Sequence, residues 1–359
     1  MAPLPPVDVD PTLMAVDAAI AARGNAEPPR PYLGMSEIGR PCERALWYGF
    51  RWCSPPRWDA VVLKRFEDGH RGEDLQAERL HLVEWIELHT LDPRTGAQFG
   101  FHDLGGHLRG HMDGAIRGLL QAPATWHVWE HKQTDDKKQA LLVKAKAERG
   151  EKAALAAWDE VYHAQAILYM HYAGMDRHYL TCASAGGRHT VSVRTNACPR
   201  TAQALLAKAR RVIASQEPPG RLSERPDWYQ CQWCNHRALC HRTASLTVPV
   251  VTCRTCAHAT PELDGDGRWS CARYGIDLPV EIQRRGAECA QHVFIPALLP
   301  WPVADADEQA GTVSYAGDEG LMVNGPGGWS SVEIAARPEL FADAVANRIK
   351  VEFSANAIA

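Results

Sequence analysis

A chain of 359 residues with 45% hydrophobic and 23% charged side chains is long enough for a full core and two or three modules, in the composition of a globular rather than a fibrous or disordered protein. No apolar run approaches membrane-spanning length, and no basic region followed by an apolar block opens the chain, so neither a membrane span nor a signal peptide is expected. The net charge of −4 sets up no global basic field, but residues 301–359 hold nine acidic and three basic residues, which leaves the first 300 near +2 and allows a local basic groove.

The first ten residues are proline-rich and expected to be disordered. Leu13 to Ala22 has helical periodicity, ended by Arg23-Gly24-Asn25, and Pro28 to Pro31 reads as a linker. Ser36 is placed to cap a short helical turn, and Cys42 to Phe50 reads as a helix with Leu46 and Trp47 inward. Ala60 to Leu82 is a longer helix containing Gly69-His70. Next come Trp85 to Leu91, Ala97 to Asp103, Leu108 to Leu120 and Trp126 to Trp129, which read as an antiparallel meander. Pro93-Arg94-Thr95-Gly96 and Gln121-Ala122-Pro123-Ala124-Thr125 supply two of its turns.

The meander carries the chemistry. Side chains alternate along a strand, so Glu130 and Lys132 share a face, and the preceding hairpin can bring Asp113 beside Glu130. Two carboxylates and an ammonium converging on a sheet suit a hard divalent cation and an attacking water. Asp136 to Arg149 is a lysine-rich amphipathic helix, with Lys137 and Lys138 placed to meet phosphate. Ala153 to Tyr172 is a strong helix stopped at Gly174, on which Gln165 and Tyr169 share a face. A hairpin about Ala185-Gly186-Gly187-Arg188 and a helix from Thr201 to Ser215 follow.

In this order the residues resemble the RecB-like branch of the PD-(D/E)xK nuclease superfamily. Asp113 with Glu130-His131-Lys132 is similar to its core motif, Phe66-Glu67-Asp68-Gly69-His70 to its histidine motif, and Gln165 to Tyr169 to its QxxxY helix. Cys42 with Cys231-x-x-Cys234 and Cys240 resembles the cysteine set of the iron–sulfur exonucleases in that branch, CRISPR-associated and helicase–nuclease types included. The likeness covers residues 30–242. It implies an α+β fold of α/β type, a restriction-endonuclease-like core in which helices flank a central mixed sheet. It also implies Mg²⁺ or Mn²⁺ held by Asp113, Glu130 and the His131 carbonyl with His70, Lys132 orienting water, Gln165 orienting a ligand and Tyr169 touching DNA. Cys42, Cys231, Cys234 and Cys240 would hold a 4Fe-4S cluster, with zinc as the alternative and His236 and His241 as further candidate ligands, and so close the nuclease domain.

Eleven cysteines with no secretory signal, several at C-x-x-C spacing, point to metal binding in a reducing cytoplasm. Cys253-x-x-Cys256 with Cys271 and Cys289 reads as a second, zinc-binding knuckle. Arg254, Arg268, Arg273, Arg284 and Arg285 with Trp269 and Tyr274 offer DNA contacts there, against a purely structural packing role. Cys53, Cys182 and Cys198 read as plain thiols. The expected division is 1–30, an N-terminal helix and linker; 31–242, the nuclease domain; 243–298, the knuckle; and 299–359, an acidic appendage. The last would hold a hairpin within Thr312 to Trp329, a helix from Pro338 to Arg348 and a strand from Lys350 to Phe353, and its acidity suggests a protein partner. The resulting expectation is a metal-dependent DNA nuclease acting on single-stranded ends in phage, repair or CRISPR DNA processing. The rival is a catalytically idle nucleic-acid adaptor.

Overall fold

The computed structural model describes residues 10–54, 56–243, 246–317 and 320–357; the expected disorder of the N-terminal residues lies almost wholly outside them. The chain forms two compact units, and both are discontinuous. One comprises residues 1–29, 56–99 and 111–198, the other residues 30–55, 100–110 and 199–359. This differs from the contiguous division read from the sequence.

The first unit is built on a five-stranded mixed sheet in the order Glu87–His89, Gly114–Arg117, His127–Gln133, Arg177–Ala183, Thr190–Asn196. The first three strands run antiparallel, His127–Gln133 pairs in parallel with Arg177–Ala183, and Thr190–Asn196 returns antiparallel. A parallel pair needs a crossover, and the helices Asp136–Arg149, Ala154–Trp158 and Glu160–Ala173 supply it. The single helix expected from Ala153 breaks at Asp159, whose carboxylate caps the second piece by accepting from the Val161 and Tyr162 amides. Leu80, Leu88, Ile116, Leu119 and Trp129 form one apolar cluster, and Leu142, Leu155, Ala166, Leu180, Cys182 and Val193 form another.

The expected meander is corrected in one respect. Residues 108–120 are not one strand: the backbone leaves the ladder at Met112-Asp113, and Gly100–Asp103 with Leu108–His111 form a separate sheet with Leu33–Gly34. The first helix also runs to Ala26, past its expected stop, with Asn25 Nδ2 donating to the carbonyls of Ala21 and Trp58.

In the second unit, Glu43–Phe50 lies against Pro199–Ala214. Residues 35–39 form turns rather than a helix. Ala259–Pro261, Trp269–Cys271 and Ile276–Asp277 make a small antiparallel sheet. In the tail, Val303–Asp307 is the outer strand of a sheet with Thr312–Gly317 and Gly320–Asn324. One apolar cluster joins Val251, Val293 and Phe294 to Val313, Tyr315, Trp329 and Phe341, so the knuckle and the appendage share a core. The expected strand at Lys350 is helix, Ala344–Phe353, because Asp343 caps it and Lys350 turns back onto Glu333 at 2.7 Å. No helix among the described residues is long and apolar enough to cross a membrane.

Candidate active site

The register Gly114↔Trp129 sets Asp113 beside Glu130 at the point where the strand begins. Gly114 permits this approach, because a Cβ there would sit 2.7 Å from the His89 carbonyl oxygen. The Asp113 amide donates to Glu130 Oε1 at 3.2 Å, and Asp113 Oδ2 accepts from the His131 amide at 2.8 Å. Lys132 Nζ donates to Glu130 Oε2 at 2.8 Å, and Gln165 Nε2 donates to the same oxygen at 3.0 Å. Glu130 is 1% exposed, so its carboxylate is held by protein donors alone among the described residues. Asp113, Glu130, Lys132 and Gln165 therefore meet as the sequence placed them.

The electrostatics are those of a crowded acidic site. Burial, reinforced by the Asp113 charge and opposed by Lys132, pushes Glu130 up to about 8. Burial raises Asp113 as well, against the pull of Lys132, the His131 amide and His70. Burial works against the Lys132 ammonium, yet Glu130 and Asp113 outweigh it and hold the group above the ordinary lysine range. Carboxylates displaced upward by burial, with the Asp113 charge adding to it at Glu130, are found often at functional centres.

Sequence reasoning missed one member of this site. Glu73 is pushed up to about 7 by burial and by the Asp113 charge, with Lys132 opposing. It sits on Ala60–His81, three residues after His70 and so on nearly the same helical face. Gly72, between the two, lets this helix approach the strand: its Cβ would fall 2.6 Å from Gln133 Oε1.

Other assignments change with the coordinates. His70 is exposed and reaches Asp113 only through its charge. The His131 ring turns away from the carboxylates, its Nδ1 3.0 Å from Thr181 Oγ1 and its Nε2 3.3 Å from Gln133 Oε1; only its backbone faces Asp113. Tyr169 is 2% exposed, and its hydroxyl accepts from Gln165 Nε2 at 3.2 Å, so it buttresses Gln165 instead of reaching DNA. Lys138 is tied to Asp159 at 2.8 Å and lies over the Tyr162 ring, which leaves Lys137 as the exposed lysine of the pair.

In the second unit, Cys42, Cys231, Cys234 and Cys240 line one hollow together with His236 and His241. Cys42 caps Glu43–Phe50, its Sγ accepting from the Ala45 amide at 3.4 Å. All four cysteines belong to this unit, so a group bound by them would join its own distant segments. Cys253, Cys256, Cys271 and Cys289 line a second hollow. The DNA grip expected around it is corrected at three residues: Arg254 and Trp269 are fully buried, and Arg268 pairs with Asp264 and Asp277. Among the described residues, no group of three or more His, Cys, Asp or Glu side chains is arranged to hold a metal ion.

No protein-family model and no curated protein matches the chain. Among solved structures it is similar to the crystal structure of SSO0001 at a TM-score of 0.35 and 12% identity, covering 67% of this chain and all of that one. It is also similar to an alkaline exonuclease (LHK-Exo) from Laribacter hongkongensis at 0.35 and 9% identity, covering 56% of this chain and 91% of that chain. What the site can do is read from its own residues.

Proposed function

We propose that the chain is a divalent-cation-dependent nuclease that hydrolyses phosphodiester bonds of DNA, acting at single-stranded ends. The carrying observation is the bonded set of Asp113, Glu130, Lys132 and Gln165, with Glu73 crowding the same carboxylates. The donor types, carboxylate and carbonyl oxygens, are those a hard cation takes, although the described side chains are not drawn around an ion. Asp113, Glu130 and the His131 carbonyl would hold Mg²⁺ or Mn²⁺, with Glu73 and His70 as further oxygen and nitrogen donors. Such an ion lowers the pKa of bound water and screens charge on phosphate. The protein's own residues supply the remainder. Lys132, the counter-charge of Glu130, would orient the attacking water and stabilise the growing negative charge on phosphate. Gln165 fixes the Glu130 oxygen it bonds, and Tyr169 fixes Gln165.

Resemblance also supports a 4Fe-4S cluster at Cys42, Cys231, Cys234 and Cys240. Their shared hollow is a four-thiolate donor set, which zinc would equally accept. The role is structural.

Digestion of end-labelled single- and double-stranded DNA, with Mg²⁺, with Mn²⁺ and with chelator, tests the reading. Shortening of the single strand that needs the cation is expected. DNA that is bound but left intact under every condition would replace the nuclease with an adaptor.

A further inference from the structure

We infer that Cys253, Cys256, Cys271 and Cys289 form a structural site for one Zn²⁺ ion, their four thiolates completing its tetrahedral shell beside the buried imidazole of His292. This site is separate from the proposed hydrolytic reaction and does not depend on it.

Three pieces of chain bring the thiols to one hollow. Cys253 begins a single 3-10 turn, Cys253–Thr255, and Cys256 closes it, its amide donating to the Cys253 carbonyl at 3.1 Å. Thr252 fixes the turn through its amide, which donates to Thr255 Oγ1 at 3.1 Å. Cys271 ends the strand Trp269–Cys271, and Cys289 closes the turn Gly286–Glu288.

The second observation is independent of the thiols. His292 also lines the hollow and is 3% exposed. Its Nε2 lies 2.9 Å from the Thr252 carbonyl oxygen, which can only accept, so Nε2 carries the proton and Nδ1 keeps its lone pair. That Nδ1 has no hydrogen-bond partner among the described residues. His258, lining the same hollow, also leaves Nε2 buried and without a partner among them. A buried polar nitrogen without a partner costs about 1–3 kcal/mol, and both line a hollow that holds the four-thiol donor set of a zinc ion.

C-x-x-C with two later cysteines is a zinc donor set, and a sheet with strands of three, three and two residues has little core of its own to stand on. Since no three of these side chains are arranged around an ion in the chain as described, loading must draw them inward, and its free energy enters folding. The effect reaches beyond the knuckle. Arg254, between the first two cysteines, is fully buried, donating to the carbonyls of Pro31 and Phe50 and to Gln283 Oε1, each at 2.8 Å.

The test uses the full-length chain. Bound metal is counted, and cysteines are alkylated and mapped by mass spectrometry, with exposed Cys198 as the internal reference. Zinc should protect Cys253, Cys256, Cys271 and Cys289 relative to Cys198. A chelator should remove that protection, and Zn²⁺ alone should restore it. Cys289→Ser should lower bound zinc by one ion per chain; if that variant does not fold, the footprint of the unmutated chain decides. His292→Ala should weaken zinc binding about tenfold or more while keeping the stoichiometry. Four cysteines that alkylate equally fast with and without Zn²⁺, or that are protected only by iron, would overturn the site. Unchanged affinity in His292→Ala would remove the histidine from it.

Discussion

The acidic site of the first unit and the Cys253 hollow of the second both gather cation-seeking donors, but they differ in how those donors are satisfied. Glu130 and Asp113 have protein partners: a lysine, a glutamine and two backbone amides. In the cysteine hollow, one imidazole nitrogen each of His258 and His292 stands without a partner among the described residues. A site with an internal counter-charge can keep its shape with or without its cation. A site without one depends on the ion for its shape. Metal removal should therefore silence the first and loosen the second.

The largest effect should come from the cysteine hollow. Structural zinc contributes on the order of 10 kcal/mol to folding in small zinc modules, so stripping zinc should abolish cooperative melting of the second unit, whereas removing Mg²⁺ or Mn²⁺ should leave the melting curve of the first nearly unchanged. Calorimetry with a zinc-selective chelator and with magnesium withheld reads the two separately. Equal responses would erase the distinction.

Lys132→Ala attacks the internal counter-charge itself. It strands Glu130, whose side chain is 2% exposed, and should destabilise the metal-free chain by about 3 kcal/mol in urea unfolding. Adding Glu130→Gln should recover much of that loss, and no recovery would mean that the pair is not what balances the site. Glu73→Gln should keep the fold and slow cleavage by roughly 10–100-fold, the range seen when a supporting group of a metal site is removed. Steady-state rates at saturating Mn²⁺ check it.

The smallest effect concerns His178, which is 1% exposed, has no partner at either ring nitrogen among the described residues and is pushed by burial down to about 3. Its folded-state pKa lies below its unfolded value near 6.5, so the unfolded chain takes up a proton that the folded chain refuses. Stability is thus full above about pH 6.5 and declines as pH falls toward 3. His178→Phe should reduce this slope by up to about 1.4 kcal/mol per pH unit, measured by unfolding between pH 7 and 5.

Much of the acidic site could be read from the sequence, because two-residue alternation puts Glu130 and Lys132 on one face and the turn about Pro123 returns the chain beside Asp113. Gln165 followed from motif order. Glu73 did not, since helical spacing reveals a shared face but not where the sheet lies relative to it. The departure of Gly100–Asp103 and Leu108–His111 to another sheet was equally hidden, because strand-like composition does not name a strand's partner. Arg254 was read as a surface cation, and nothing local announces that aromatic rings and backbone carbonyls will bury it. The tail misled through length: four alternating residues from Lys350 are too few to outweigh a helix already capped at Asp343.

The central claim is most directly tested by single-turnover digestion of a labelled DNA strand at saturating Mn²⁺, comparing the unmutated chain with Asp113→Asn. The account predicts a loss on the order of a thousandfold, about 4 kcal/mol in the barrier, with an unchanged melting temperature. Digestion by Asp113→Asn at the unmutated rate would contradict it.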